Sequence, residues 1–69
     1  MPKYRLVNNW EYDLKGVYYR GLNKKYHDMF DITTSEFAKT YDIIEEAHKD
    51  REMLKRCFGY EYFEVEEVE

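Results

Sequence analysis

The sequence predicts an α+β fold: a small antiparallel sheet in the order β-β-β-α-β, with one amphipathic helix packed on one face. Three observations predict it. The chain has only 69 residues, a length that gives one hydrophobic core and a single domain over residues 1–69. One long stretch repeats apolar residues at helical spacing. Shorter stretches on both sides of it alternate apolar with polar residues, as strands do.

The helix is predicted over residues 42–58, where apolar side chains recur three and four positions apart. The side chains that form this face are Ile44, Ala47, Leu54 and Phe58. Asp42 followed by Glu45 predicts a capping box, because the two side chains can accept hydrogen bonds from the exposed N–H groups of the first turn. Gly59 is expected to end the helix in the left-handed conformation.

Three other stretches are rich in β-forming residues and alternate in polarity. They are residues 3–8, 16–20 and 60–65. The first two are expected to form a hairpin. In the third, Phe63 and Val65 fall on one face of the strand and Glu64 on the other. Val68 is out of phase with this pattern, so the strand either contains a bulge or ends near Glu66.

Residues 33–41 fit two structures. The residues before position 37 form a capping sequence typical of a short helical turn. Phe37, Lys39 and Tyr41 instead alternate as a strand that leads into the helix. We favour the strand, which supplies the third β element of the predicted order.

The composition favours binding over catalysis. Eight tyrosines and one tryptophan are too many for a small core to bury with their polar groups satisfied, and exposed aromatic side chains are typical of interfaces. The net charge of −4 also hides a split. Residues 1–27 hold six basic and two acidic groups, whereas residues 28–69 hold five basic and thirteen acidic groups. Such asymmetry bears on the choice of partner.

The residues that carry enzyme chemistry do not form a recognisable set. His27 and His48 are too few and too far apart to bind a metal, and the three glycines form no phosphate-binding motif. We therefore expect a non-enzymatic protein without cofactor or metal. Cys57, the single cysteine, predicts a reducing compartment such as the cytoplasm and is interpreted as a packing residue. No apolar stretch is long enough to span a membrane.

The C-terminal segment YEYFEVEEVE holds five glutamates and no basic residue. Its aromatic and acidic side chains are the predicted protein-binding residues: Tyr60, Tyr62, Glu64, Glu66 and Glu67. Displayed on a strand, such carboxylates fit a groove lined by lysine and arginine. The alternative is that a glutamate-rich edge only prevents sheets from pairing with one another.

The succession of YRLVN, YYRG, FAKTYDIIEEAHKDREMLK and FEVEEVE resembles the layout of small acidic proteins encoded by phages and prophages. That group includes anti-CRISPR proteins and inhibitors that mimic DNA. The resemblance implies a protein that binds a host nucleic-acid-handling protein, at its basic groove, in the host cytoplasm. It transfers no residue role position by position.

Two alternatives stay open. The first half interleaves basic residues with aromatic ones, a pattern that fits a small RNA-binding or single-stranded-DNA-binding protein. These residues are Lys3, Arg5, Lys15, Arg20, Lys24 and Lys25 with Tyr4, Trp10, Tyr12, Tyr18, Tyr19 and Tyr26. Direct nucleic-acid binding is less favoured because the isoelectric point is near 5.2. The other alternative is a homodimeric accessory protein whose exposed aromatic surface is the dimer interface.

Overall fold

A computed structural model of the chain describes residues 2–9 and 17–68. Within these residues an antiparallel sheet packs against one α-helix, which confirms the predicted α+β class. The strands are β1 (Lys3–Asn8), β2 (Tyr18–Leu22), β3 (Phe30–Thr33), β4 (Thr40–Tyr41) and β5 (Phe63–Val68). The helix α1 is Ile44–Phe58, and a short 3₁₀-helix spans Ser35–Phe37. Gly16, the predicted start of the second strand, lies outside the described residues.

Strand β1 is the centre of the sheet. On one side β5 pairs with all six of its residues. On the other side β1 is shared: β2 pairs at Val7, opposite Tyr18, and β4 pairs at Tyr4, opposite Tyr41. Strand β3 pairs with β2. Among the described residues, β5 lies at one edge of the sheet and β3 at the opposite edge, and the short β4 pairs only with β1.

A β-bulge lets β2 and β4 share one side of β1. The pairing of β2 with β3 shifts between Tyr19 and Gly21, which leaves Arg20 as the extra residue. Gly21 has a φ of 145°, a conformation that side chains with a Cβ rarely adopt. Beyond Tyr18, β2 turns away from β1. The N–H of Lys39 then donates to the carbonyl of Tyr19 at 3.0 Å, which ties the chain entering β4 to β2.

The core lies between the sheet and α1. Its buried side chains are Leu6, Tyr19, Tyr41, Ala47, Leu54 and Phe63. Aromatic rings extend the core toward the end of the helix: the ring of Phe30 lies 5.4 Å from that of Phe58 and 5.8 Å from that of Phe63, centroid to centroid. Tyrosine and phenylalanine thus supply much of the volume that the few aliphatic residues cannot fill.

One carboxylate of α1 faces the sheet. Asp50 accepts a hydrogen bond from the hydroxyl of Tyr41. It also forms an ion pair with Lys39, whose Nζ lies 2.9 Å from the carboxylate. Burial, followed by the hydrogen bond to Asp50, raises the pKa of Tyr41. Burial also raises the pKa of Tyr19 to about 12, with smaller contributions from the charges of Asp50 and Asp31. Both phenols therefore remain protonated near neutral pH.

The helix ends as predicted but begins differently. Gly59 has a φ of 66°, and its N–H donates to the carbonyl of Leu54, as expected for a left-handed C-cap. The capping box was wrong: the helix begins at Ile44 and no side chain caps it. Asp42 instead lies 3.2 Å from the ammonium of Lys3, which offers the carboxylate a charged partner on β1. Ile44, predicted to face the core, is 37% exposed at the first position of the helix.

Residues 33–41, which fitted both a helical turn and a strand, contain one of each. Residues Ser35–Phe37 form a helical turn, and only Thr40–Tyr41 form a strand. Strand β3, just before this region, was not predicted. Strand β5 runs without interruption to Val68, which pairs with Lys3, so the predicted bulge or early end is wrong. Cys57 is exposed, which corrects its interpretation as a packing residue.

No helix among the described residues combines the length and the apolar character needed to cross a lipid bilayer.

The buried phenol of Tyr19 predicts a specific loss of stability at high pH. Burial raises its pKa to about 12, above the ordinary tyrosine value of 10.0, so folding favours the neutral ring. This contribution is complete below pH 10 and is lost as the pH rises toward 12. From pH 9 to pH 12, wild type should lose about 2 to 3 kcal/mol of unfolding free energy more than Tyr19→Phe.

Urea unfolding at several pH values measures this difference. Tyr26→Phe is the matched control, because Tyr26 is 52% exposed and its substitution should leave the wild-type pH profile unchanged. Parallel profiles for wild type and Tyr19→Phe would contradict the prediction.

Candidate protein-binding edge

The hydrogen-bond pattern between β1 and β5 shows which backbone groups face outward. The N–H of Asn9 donates to the carbonyl of Tyr62 at 2.8 Å, and the register continues from there to Val68. In antiparallel pairs, successive residues of a strand turn their N–H and C=O groups alternately toward and away from the partner. Glu64, Glu66 and Val68 therefore bond with β1, whereas Phe63, Val65 and Glu67 direct their backbone groups to the outer edge.

The start of this edge is covered by the helix. The Nε of Arg51 donates to the carbonyl of Phe63 at 2.7 Å. The next outward groups along the strand are the N–H and C=O of Val65 and of Glu67. No other described residue donates to or accepts from these four groups. Within residues 2–9 and 17–68, the far part of β5 thus presents an unpaired strand edge.

Two exposed carboxylates flank this edge, one on each face of the sheet. Glu64 lies opposite Val7 of β1, and its side chain is on the face away from α1. Glu67 lies opposite Tyr4 of β1 on the helix side. Both side chains are exposed. Among the described residues, no lysine, arginine or histidine nitrogen lies within 4.0 Å of either carboxylate. Their charges are available to another molecule.

Glu66 is held within the fold. Its Oε2 lies 3.0 Å from the Nε of Arg5. The guanidinium of Arg5 also lies over the ring of Tyr18, with its central carbon 4.2 Å from the ring centroid, and donates to the Tyr18 hydroxyl at 3.2 Å. Glu66, Arg5 and Tyr18 thus form one cluster on the face of the sheet away from α1, and the charge of Glu66 is largely neutralised there.

The two tyrosines of the segment also differ. Tyr60 is half-buried among aromatic rings, and its hydroxyl donates to the Oδ1 of Asn8 at 2.9 Å. Burial raises the pKa of Tyr60, although the bond to Asn8 acts in the opposite direction. Tyr62 is 42% exposed, and its ring lies 5.2 Å from that of Tyr60. Of the five predicted interface residues, Tyr62, Glu64 and Glu67 are thus accessible, while Tyr60 and Glu66 stabilise the fold.

The sequence did not identify the part played by the backbone or by Arg51. A strand edge becomes visible only when the pairing of the whole sheet is known. The one available signal was the position of Arg51 within the apolar stripe of the helix, which places its side chain against the sheet. The described residues contain no group of three or more histidine, cysteine, aspartate or glutamate side chains suited to a metal ion.

A pair of charge-removing substitutions separates the structural glutamate from the accessible one. Glu66→Gln removes the partner of Arg5, whose side chain is only 19% exposed. We expect it to lower the unfolding free energy by about 1 kcal/mol, because the pair is partly screened by solvent. Glu64→Gln should change it by less than about 0.5 kcal/mol. Thermal and urea unfolding of the two variants measure the difference, and equal effects would contradict the assignment.

Comparison with known proteins adds no relative from which a role can be carried over. No protein-family model matches the chain. No curated protein and no solved structure matches it either. A function for the edge must therefore be argued from its own geometry and charge.

Proposed function

We propose that the chain is a non-enzymatic protein-binding module whose β5 edge receives an extended, lysine- or arginine-containing segment of a partner protein. One observation carries the proposal. The unpaired backbone groups of Val65 and Glu67 lie between two exposed carboxylates, Glu64 and Glu67, that occupy opposite faces of the sheet. A strand added at this edge gains main-chain hydrogen bonds together with a charge contact on each face.

The geometry of an added strand fits these groups. A neighbouring strand lies about 4.8 Å away, and its side chains alternate between the two faces. Basic side chains on the two faces of the incoming segment would meet Glu64 and Glu67. Each opposite-charge pair across strands contributes about 0.2 to 1 kcal/mol. Each main-chain hydrogen bond adds a net of about 0.5 to 1.5 kcal/mol.

The same carboxylates disfavour a second copy of the chain as the partner at this edge. If two β5 strands paired with each other, the glutamates of one copy would lie close to those of the other. Like charges in such cross-strand positions are destabilising. The predicted homodimer remains a prediction, and its interface would have to lie elsewhere on the surface.

The resemblance to phage inhibitors also remains a prediction, but the structure changes how such an inhibitor would act. A row of carboxylates at the spacing of nucleic-acid phosphates requires Glu64 and Glu66, which lie on one face about 6.7 Å apart along the strand. Arg5 already neutralises Glu66. Strand addition therefore has more support than a phosphate-like row of charges.

A nucleic-acid-handling protein of the host is the partner class that fits this chemistry. Such proteins carry basic grooves and basic extended arms that bind phosphate. One of these arms would bind along the acidic edge of β5 and would then be unable to bind nucleic acid. The predicted cytoplasmic location is compatible with such a partner.

A defined peptide tests the proposal. A ten-residue peptide in which pairs of lysines alternate with pairs of threonines places lysines on both faces of a strand, and it should bind isotope-labelled protein at low salt. The amide resonances of Val65 and Glu67 should shift in its NMR spectrum, and these amides should exchange more slowly with solvent. Glu64→Gln combined with Glu67→Gln should weaken binding about tenfold, because two charge contacts are lost.

The matched control is Glu36→Gln combined with Glu45→Gln, which changes the net charge equally at exposed positions of other elements. The proposal requires this control to bind the peptide like wild type. Equal weakening by both double variants would mean that only the overall charge attracts the peptide. Unchanged Val65 and Glu67 amides would mean that the glutamates merely keep the edge from pairing.

A further inference from the structure

A basic cleft lies at the end of the sheet opposite β5, where β2 turns into β3. Its volume is about 660 Å³. Four basic side chains line it, and Asp31 is the one acidic residue among its lining residues. The basic residues are Arg20, Lys24, Lys25 and Lys39. A concave surface with such an excess of cations attracts anions.

The turn that carries Lys24 and Lys25 is held by the side chain of Asn23. Its Oδ1 accepts hydrogen bonds from the N–H groups of Lys25 and Tyr26, at 2.8 and 2.7 Å. Its Nδ2 donates to a carboxylate oxygen of Asp31 at 3.0 Å. The N–H of Asn23 closes the loop by donating to the carbonyl of Met29 at 2.9 Å. Lys24 and Lys25 therefore extend from a braced backbone, and Asp31, the one acidic residue among the described lining residues, is hydrogen-bonded to that turn.

Three of the four cations are available to a ligand. Lys39 is paired with Asp50, and its ammonium lies 5.1 Å from the ring centroid of Tyr41. Among the described residues, the side chains of Arg20, Lys24 and Lys25 have no carboxylate oxygen within 4.0 Å. Ion pairing within the described part of the fold therefore reaches Lys39 but not these three cations.

An exposed aromatic ring adjoins the cleft. Tyr26 follows Lys25 directly and is 52% exposed. The ammonium of Lys25 lies 5.4 Å from its ring centroid. A cation beside an accessible aromatic face can hold a phosphate while an unpaired base stacks on the ring. This pairing favours a single-stranded nucleic acid over a simple inorganic anion.

We infer that this cleft binds single-stranded nucleic acid, with Arg20, Lys24 and Lys25 on the phosphates and Tyr26 under a base. The site is smaller than the surface that the first half of the sequence suggested. Tyr19 is buried, and Tyr18 is half-buried with both its ring and its hydroxyl in contact with Arg5, so these rings are less accessible to a base than Tyr26. Because the chain carries a net charge of −4, the affinity depends on the local cations and falls with salt.

The inference does not rest on the proposed function of β5. The cleft and the acidic edge belong to opposite ends of the sheet, and one can fail while the other holds. The charge-removing substitutions at Glu64 and Glu67 should leave nucleic-acid binding in place, and the cleft substitutions should leave peptide binding in place.

Fluorescence anisotropy with a labelled ten-nucleotide oligothymidine tests the inference. Three phosphate contacts predict that the logarithm of the binding constant falls with the logarithm of salt concentration at a slope of about −2. Lys24→Gln combined with Lys25→Gln should weaken binding and reduce the slope to about −0.7. Tyr26→Leu should weaken binding by about fivefold or more with little change in slope.

The matched control is Lys55→Gln combined with Arg56→Gln, which removes the same charge from exposed positions in the last turn of α1. It should bind the oligonucleotide like wild type, and circular dichroism checks that all variants are folded. Absence of wild-type binding at low salt would overturn the inference, as would equal weakening by the control. If inorganic polyphosphate competes as well as oligothymidine and Tyr26→Leu has no effect, the site is a general anion site and the nucleic-acid assignment is wrong.

Discussion

The pairing of β5 with β1 is the constraint on which the rest of the structure depends. It joins residues near the two ends of the chain over six consecutive positions, from Lys3 with Val68 to Asn8 with Phe63. Closing so long a loop has an entropic cost, which burial of Phe63 and Leu6 beneath α1 helps to offset. The same pairing leaves the outer edge of β5 unpaired, so the contact that completes the core also creates the candidate interface.

The elements with strong local signals were predictable. The amphipathic stripe and Gly59 identified the helix and its end, because both depend on residues a few positions apart. The helix start was not predictable from its capping sequence: Asp42 caps no N–H of the helix and lies beside Lys3, a residue far away in sequence. Strand β3 was missed for a similar reason. It has only four residues, and its pairing with β2 passes through the bulge at Arg20, which local alternation does not reveal.

The candidate site was predictable in composition but not in arrangement. The acidic and aromatic character of the C-terminal segment pointed to β5, the strand whose outer backbone groups at Val65 and Glu67 have no partner among the described residues. Which glutamates are accessible depends on Arg5, which lies 61 positions before Glu66, and no short-range pattern distinguishes Glu66 from Glu64. The charge split along the sequence is partly preserved in space. Pairs such as Lys3 with Asp42 neutralise some of it, yet an acidic edge and a basic cleft remain at opposite ends of the sheet.

Amide hydrogen exchange of the free protein, followed by NMR, tests the arrangement of β5 most directly. The N–H groups of Glu64, Glu66 and Val68 bond with β1 and should exchange slowly. Those of Val65 and Glu67 face solvent in this structure and should exchange much faster, giving an alternating pattern along one strand. Slow exchange at Val65 and Glu67 in the isolated protein would show that the edge is already covered, and would contradict the account.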